Sequence, residues 1–76
     1  MFRVKLFVQD NGNPNDEKKG PNFIFDDVSE PSYVNSMILK MGEQERIYRP
    51  TKIRKVYDIT GKEIEIYYEV YLKRDG

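Results

Sequence analysis

Residues 63–73 alternate without a break, and this constrains the chain more than any other feature. Ile64, Ile66, Tyr68, Val70 and Leu72 fall on one side at a period of two, while Glu63, Glu65, Tyr67, Glu69, Tyr71 and Lys73 fall on the other. Such alternation, with β-branched and aromatic residues throughout, marks a long half-buried strand. A helix would scatter the same apolar side chains around its axis. Residues 58–62 precede it as a turn, with Gly61 supplying a position that tolerates φ > 0. The strand is therefore the second arm of a hairpin. If Ile59 faces Ile64, then Tyr57 meets Ile66 and Ile53 meets Val70 on one face. Arg54 meets Glu69 on the other face, where Asp58 opposes Glu65 at a mild like-charge cost.

Residues 2–9 alternate as well, with Phe2, Val4, Leu6 and Val8 against Arg3, Lys5, Phe7 and Gln9, which predicts a second strand. Residues 10–22 carry Pro14, Pro21, Gly12, Gly20 and several Asn, and read as a turn-rich, mobile loop. Phe23, Ile24 and Phe25 form a short run able to pair with the first strand, stopped by Asp26 and Asp27. Asp27 or Ser29 then offers an N-cap, with Glu30 three residues after Asp27 and Pro31 in the first turn. Val34, Met37, Ile38 and Met41 follow at i, i+3, i+4 and i+7, the spacing of an amphipathic helix over 29–41. Lys40 suits its C-terminal end, and Gly42 its left-handed cap. Residues 43–45 are a polar exit. Residues 46–57 are β-prone, interrupted at Pro50, which marks an edge or a bend.

The fold this predicts is α+β, in the order β-(β)-α-β-β. An antiparallel sheet of three to four strands carries one helix on one face, in a single domain over 1–76. The expected core is Phe2, Val4, Leu6, Val8, Phe25, Val34, Met37, Ile38, Met41, Ile53, Ile64, Ile66, Tyr68, Val70 and Leu72. At 76 residues one core is barely sufficient. No cysteine is present to supply a disulfide. Aromatic burial or self-association, such as a homodimer through the sheet, has to compensate.

Several function classes are disfavoured by composition. Thirteen basic residues balance thirteen acidic ones, so no general electrostatic footprint for nucleic acid or an anionic membrane exists. No apolar run nears the roughly 20 residues that span a bilayer, and no signal-peptide pattern opens the chain. A cytoplasmic location is the expectation. Histidine is absent, and none of the three serines lies in a nucleophile motif. Asp26 and Asp27 are explained by capping. Asp10, Asn11, Asn13, Asn15 and Asp16 resemble a calcium loop in spacing, but no Glu stands at the twelfth position and Pro14 interrupts. Gly12 and Gly20 carry no phosphate-loop pattern. The expectation is a non-enzyme with no catalytic residues, no metal and no cofactor.

Two surface features remain. Arg46, Arg49, Lys52, Arg54 and Lys55 crowd the segment 46–57 with Tyr48 and Tyr57 beside them and no acid between. Such interleaving suits a nucleic-acid binder, since guanidinium groups meet phosphates and rings stack on bases. The plainer reading is charge balance with Glu63, Glu65 and Glu69. The second feature is the sheet face away from the helix, where Phe7, Val56, Tyr67 and Tyr71 project among Arg3, Lys5, Arg54 and Lys73. Aromatic and Arg side chains are enriched at protein interfaces, so Phe7, Tyr67, Tyr71 and Arg54 are candidate partner-binding residues.

The order of a short strand, Phe23-Ile24-Phe25 ending in acids, a capped helix and a long Tyr/Ile/Glu hairpin resembles small accessory proteins of bacteriophages and mobile elements. Some of these are anti-CRISPR or other host-defence inhibitors. The resemblance implies a protein that acts in the bacterial cytoplasm by covering a partner's surface. The expectation is thus a protein–protein interaction module, with a small nucleic-acid-binding domain as the alternative.

Overall fold

The computed structural model describes residues 1–9 and 20–74. Five strands follow in chain order: β1 (Phe2–Gln9), β2 (Phe23–Asp27), β3 (Met37–Met41), β4 (Gln44–Asp58) and β5 (Glu65–Arg74). They form one curled sheet, a half-barrel, in the order β2-β1-β5-β4-β3. β5 lies at its centre, as its unbroken alternation demands. It pairs antiparallel with β4 and parallel with β1, matching Val4 to Tyr68, Leu6 to Val70 and Val8 to Leu72. The hairpin register read from the sequence is the observed one, with Tyr57 opposite Ile66, Ile53 opposite Val70 and Arg54 opposite Glu69.

The expected α+β class is overturned. No helix occurs among the described residues, and the fold is all-β. Residues 28–36 cross without regular structure from β2 to β3, and the second half of the expected helix is a strand. The apolar run Met37-Ile38-Leu39 fits either period, and a short run of this kind cannot be assigned by periodicity alone. Pairing decides it: Met37 lies opposite Tyr48 and Leu39 opposite Arg46, joined by a two-residue turn at Gly42 and Glu43. Gly42 does take a positive φ, 64°, but as the first residue of a hairpin turn rather than a helix cap. Asp27 does bond ahead as a cap would. Its Oδ1 accepts from the Ser29 N–H (3.2 Å) and hydroxyl (3.4 Å), but the result is a local turn.

Further corrections concern the strands. The sheet has five strands and is mixed, because β1 runs parallel to β5. Asp26 and Asp27 do not stop β2; they pair with Arg3 and Phe2 at the sheet edge, where Asp26 lies 3.8 Å from Arg3. Edge strands tolerate charge because one side of the ladder is open. Asn22 extends this hairpin instead of belonging to a free loop. Its N–H donates to the Leu6 carbonyl (2.8 Å), and its Oδ1 accepts from the Val8 N–H (2.9 Å). The remainder of the expected loop, with its calcium-like residues 10–16, lies outside the described residues. Gly61 does not take a positive φ.

Pro50 bends β4, as expected of a residue that cannot donate to a ladder. The register slips between Pro50 and Lys52, leaving Thr51 as the extra residue. The Thr51 hydroxyl donates to the Tyr71 carbonyl at 3.1 Å, giving that carbonyl a side-chain donor beside the bulge. The slip also turns Tyr48 inward, where it is almost wholly buried.

The core sits on the inner face of the curl: Val4, Leu6, Tyr48, Tyr68, Val70 and Leu72, flanked by Phe2, Val8, Phe25, Met37, Leu39 and Ile53. Complete burial of a Val or Leu side chain contributes roughly 1.5–3 kcal/mol. The Phe2 ring meets Tyr68 edge-on at 5.7 Å. Four expected core members lie outside it: Val34, Ile38, Ile64 and Ile66 are all more than half exposed.

This assignment separates side chains that a helix over 29–41 would bury together. Val34→Lys and Ile38→Lys should change stability by less than about 0.5 kcal/mol, as surface substitutions do. Leu39→Lys, turned toward the core, should cost roughly 1–3 kcal/mol. Denaturant unfolding of the three variants checks this; equal losses at Ile38 and Leu39 would contradict the strand.

Candidate functional site

Strand parity distributes the candidate residues over two faces. On the outer face β1 brings Arg3, Lys5 and Phe7, β5 brings Tyr67, Glu69, Tyr71 and Lys73, and β4 brings Arg49, Lys52, Arg54 and Val56. All four candidate partner-binding residues (Phe7, Tyr67, Tyr71 and Arg54) are thus brought together, yet they do not form an open apolar surface. Phe7 is only 3% exposed and stacks flat on Tyr71, with ring centroids 4.7 Å apart. Lysines lie over the other rings, Lys5 Nζ at 3.8 Å from the Tyr67 centroid and Lys52 Nζ at 5.0 Å from that of Tyr71. Such contacts are favourable and hide π-surface. Burial and the nearby Glu69 charge push the Tyr67 phenol above its ordinary range. Arg54 meets Glu69 at 3.3 Å, the pair read from the sequence. Around these rings the outer face is internally matched, while Ile24, Ile38 and Ile47 stay exposed toward its edges.

The basic segment 46–57 is divided. Arg49, Lys52 and Arg54 project outward, whereas Arg46, Tyr48 and Lys55 belong to the inner side, and Tyr48 is a core residue. The division follows from alternation, which sends neighbours to opposite faces, and from the bulge at Thr51, which reverses parity. Five cations close in sequence therefore do not make one basic surface. Lys55 lies between Tyr57 and Tyr68, its Nζ 5.5 Å and 5.8 Å from their ring centroids. A hydrogen bond to Tyr57, and then that group's charge, hold the Lys55 ammonium above the usual lysine range. Burial raises the Tyr68 phenol, and Glu30 from the crossing segment adds to the rise by hydrogen bond and charge. Glu30 so ties residues 28–36 to the inner face.

On the inner face an open apolar surface lies at the end of the β4–β5 hairpin. Tyr57 and Ile66 are cross-strand partners there, 58% and 51% exposed, and beyond them Ile59 and Ile64 are 72% and 64% exposed. The core stops at Ile53 and Tyr68, so four large apolar side chains continue the inner face into solvent. Sequence reading placed Ile64 and Ile66 in the core because period alone cannot say how far a covering layer reaches. Lys55, sharing parity with Tyr57 and Ile59, was the available sign that this end of the face meets water.

The turn holds the surface in place. Asp58 Oδ1 accepts from the Thr60 hydroxyl at 2.6 Å and from the Thr60 N–H at 3.0 Å, closing residues 58–60. These bonds, the hydroxyl first, hold the Asp58 carboxyl below its ordinary value of 3.8. A recess of about 140 Å³ between the inner face and residues 28–36 is lined by Val4, Phe25, Glu30, Pro31, Asn35 and Met37 among others. That is below the roughly 300–1,000 Å³ of most small-molecule sites. Among the described residues no three of Asp, Glu, His or Cys gather as metal ligands, and no helix is long and apolar enough to cross a membrane.

A depressed carboxylate stabilises the fold above its unfolded-state pKa and loses that contribution as pH falls through the folded value. Thr60→Val should raise the Asp58 pKa, read from its side-chain carbon resonance. The stability gap between wild type and variant should narrow as pH falls from about 6 to 2. A gap that widens in acid would contradict the assignment. Comparison with protein-family models, characterised proteins and solved structures found no match to the chain.

Proposed function

We propose that the chain is a non-catalytic protein–protein interaction module, of the kind that inhibits a host protein by covering its surface, and that the hairpin end carries the contact. The supporting observation is the contiguous exposure of Tyr57, Ile59, Ile64 and Ile66 in a chain whose other face shields its rings. Exposed apolar clusters of this kind mark interaction sites, and Tyr is enriched among the residues that dominate binding energy. The mixed charge favours a protein partner over a polyanion. Thirteen cations meet thirteen anions in the whole chain, and the cations of 46–57 face two ways. The contact proposed lies on the sheet face opposite Phe7, Tyr67, Tyr71 and Arg54, the partner-binding residues expected from the sequence.

Ile64→Thr together with Ile66→Thr keeps β-branching and removes apolar surface, so unfolding should move by less than about 0.5 kcal/mol per site. Capture of a specific partner by the tagged chain should be lost in this variant and be unaffected by nuclease. Phe7→Ala should instead cost roughly 3 kcal/mol of stability, because its ring is buried. A nucleic-acid binder would behave differently. Affinity for a short single strand would fall steeply as salt rises from about 50 mM, and replacing Arg49, Lys52 and Arg54 by Ser would flatten that slope. Tight, salt-sensitive binding of this kind would overturn the proposal.

A further inference from the structure

β3 covers one edge of β4 only over residues 44–48. From 49 to 58 no described strand pairs with β4 on that side. Ile53 shows where the edge groups point. Its N–H donates to the Tyr33 hydroxyl oxygen (2.8 Å), and the Tyr33 O–H donates to the Ile53 carbonyl (3.4 Å). One hydroxyl thus takes the place of a neighbouring strand at a single rung. Antiparallel pairing turns alternate residues to opposite edges, so the N–H and C=O groups of Lys55 and Tyr57 face the same way as those of Ile53. Beside these groups lies the exposed apolar surface of Tyr57 and Ile66.

An open edge is a template for another strand, and charge selects which strand. Residues 49–58 carry Arg49, Lys52, Arg54 and Lys55 against Asp58. A second copy paired symmetrically over residues 53–57 is disfavoured by its own charges. Antiparallel pairing about Lys55 sets two Lys55 side chains opposite each other, and pairing about Ile53 sets Arg54 against Lys52. Like charges directly opposite destabilise a sheet. We propose that the β4 edge over residues 53–57 accepts an extended acidic–apolar segment of a partner protein as a sixth strand, with Tyr33 occupying its first rung until displaced. Acids of that segment lie beside Lys55 and Arg54, and its apolar side chains lie beside Ile53, Tyr57 and Val56. Main-chain bonds supply affinity and the alternating side chains supply selectivity. The inference rests on the interaction-module reading and specifies how the partner engages.

The test uses the full chain, isotope-labelled, titrated with a capped peptide Val-Val-Glu-Glu-Val-Val, whose adjacent acids reach Lys55 on one face and Arg54 on the other, and with a control carrying Lys for Glu. The acidic peptide should slow amide exchange at Lys55 and Tyr57 and bind more tightly than the lysine peptide by about tenfold or more. Tyr33→Phe, which removes the competing hydroxyl, should strengthen that binding severalfold. Unchanged Lys55 and Tyr57 amides at about 1 mM peptide, or equal binding of the two peptides, would overturn the proposal. So would a dimer in sedimentation whose edge amides are protected without peptide, because the occupant would then be a second copy. The two readings fail separately. If partner capture needs Ile64 and Ile66 while the edge amides stay silent, strand addition falls and the interaction module stands; if capture is also indifferent to both isoleucines, the module reading falls with it.

Discussion

The parallel pairing of β1 with β5 is the contact on which the rest depends. It joins two pieces that local sequence makes separately, the β1–β2 hairpin and the β3–β4–β5 meander. The β1–β2 hairpin is marginal alone in water, and without it the inner face of the meander lacks Val4 and Leu6. Once joined, Val4 and Leu6 meet Tyr68 and Val70, and the inner face closes around fully buried Val70 and Leu72. The pairing also sets β2 and β3 at opposite edges of the sheet, so residues 28–36 have to cross from one to the other. The cost is topological, because the two strands are far apart in sequence and non-local pairing is slow to form.

The two faces of the sheet manage their aromatics differently, and this difference supports the functional reading. On the outer face Phe7 and Tyr71 stack, Lys5 and Lys52 lie over rings, and Arg54 pairs with Glu69. On the inner face, aromatic and aliphatic side chains are buried as far as Ile53 and Tyr68, then emerge at Tyr57 and Ile66. The exposed end is held by Asp58 and Thr60, and its flanking edge is guarded at one rung by Tyr33. Lysines along that edge limit pairing between like chains while leaving an oppositely charged strand acceptable.

Much of this was legible in the sequence where a single period dominates. The β4–β5 register, including Arg54 with Glu69, followed from matching two alternations across one turn, and β1 declared itself the same way. Residues 29–41 misled because Val34, Met37, Ile38 and Met41 satisfy a helical spacing while Met37, Leu39 and Met41 satisfy a strand. Only the partner strand, fixed by Gly42 and Tyr48, resolves the choice. Tyr48 was read as a surface residue among cations because the Thr51 bulge, which turns it inward, leaves no periodic trace except Pro50. The exposure of Ile64 and Ile66 was hidden for another reason. Alternation tells which side of a strand is apolar, but how much of that side is covered depends on the path of residues 28–36.

The most direct measurement is the nuclear Overhauser spectrum of the isotope-labelled protein. Cross-strand contacts should join Val4 to Tyr68 and Leu6 to Val70 in a parallel pattern, with Met37 to Tyr48 across the β3–β4 hairpin. Residues 29–41 should lack the contacts between residues three apart that a helix produces. A continuous run of such contacts over 29–41, with none between β1 and β5, would contradict the all-β sheet and everything built on it.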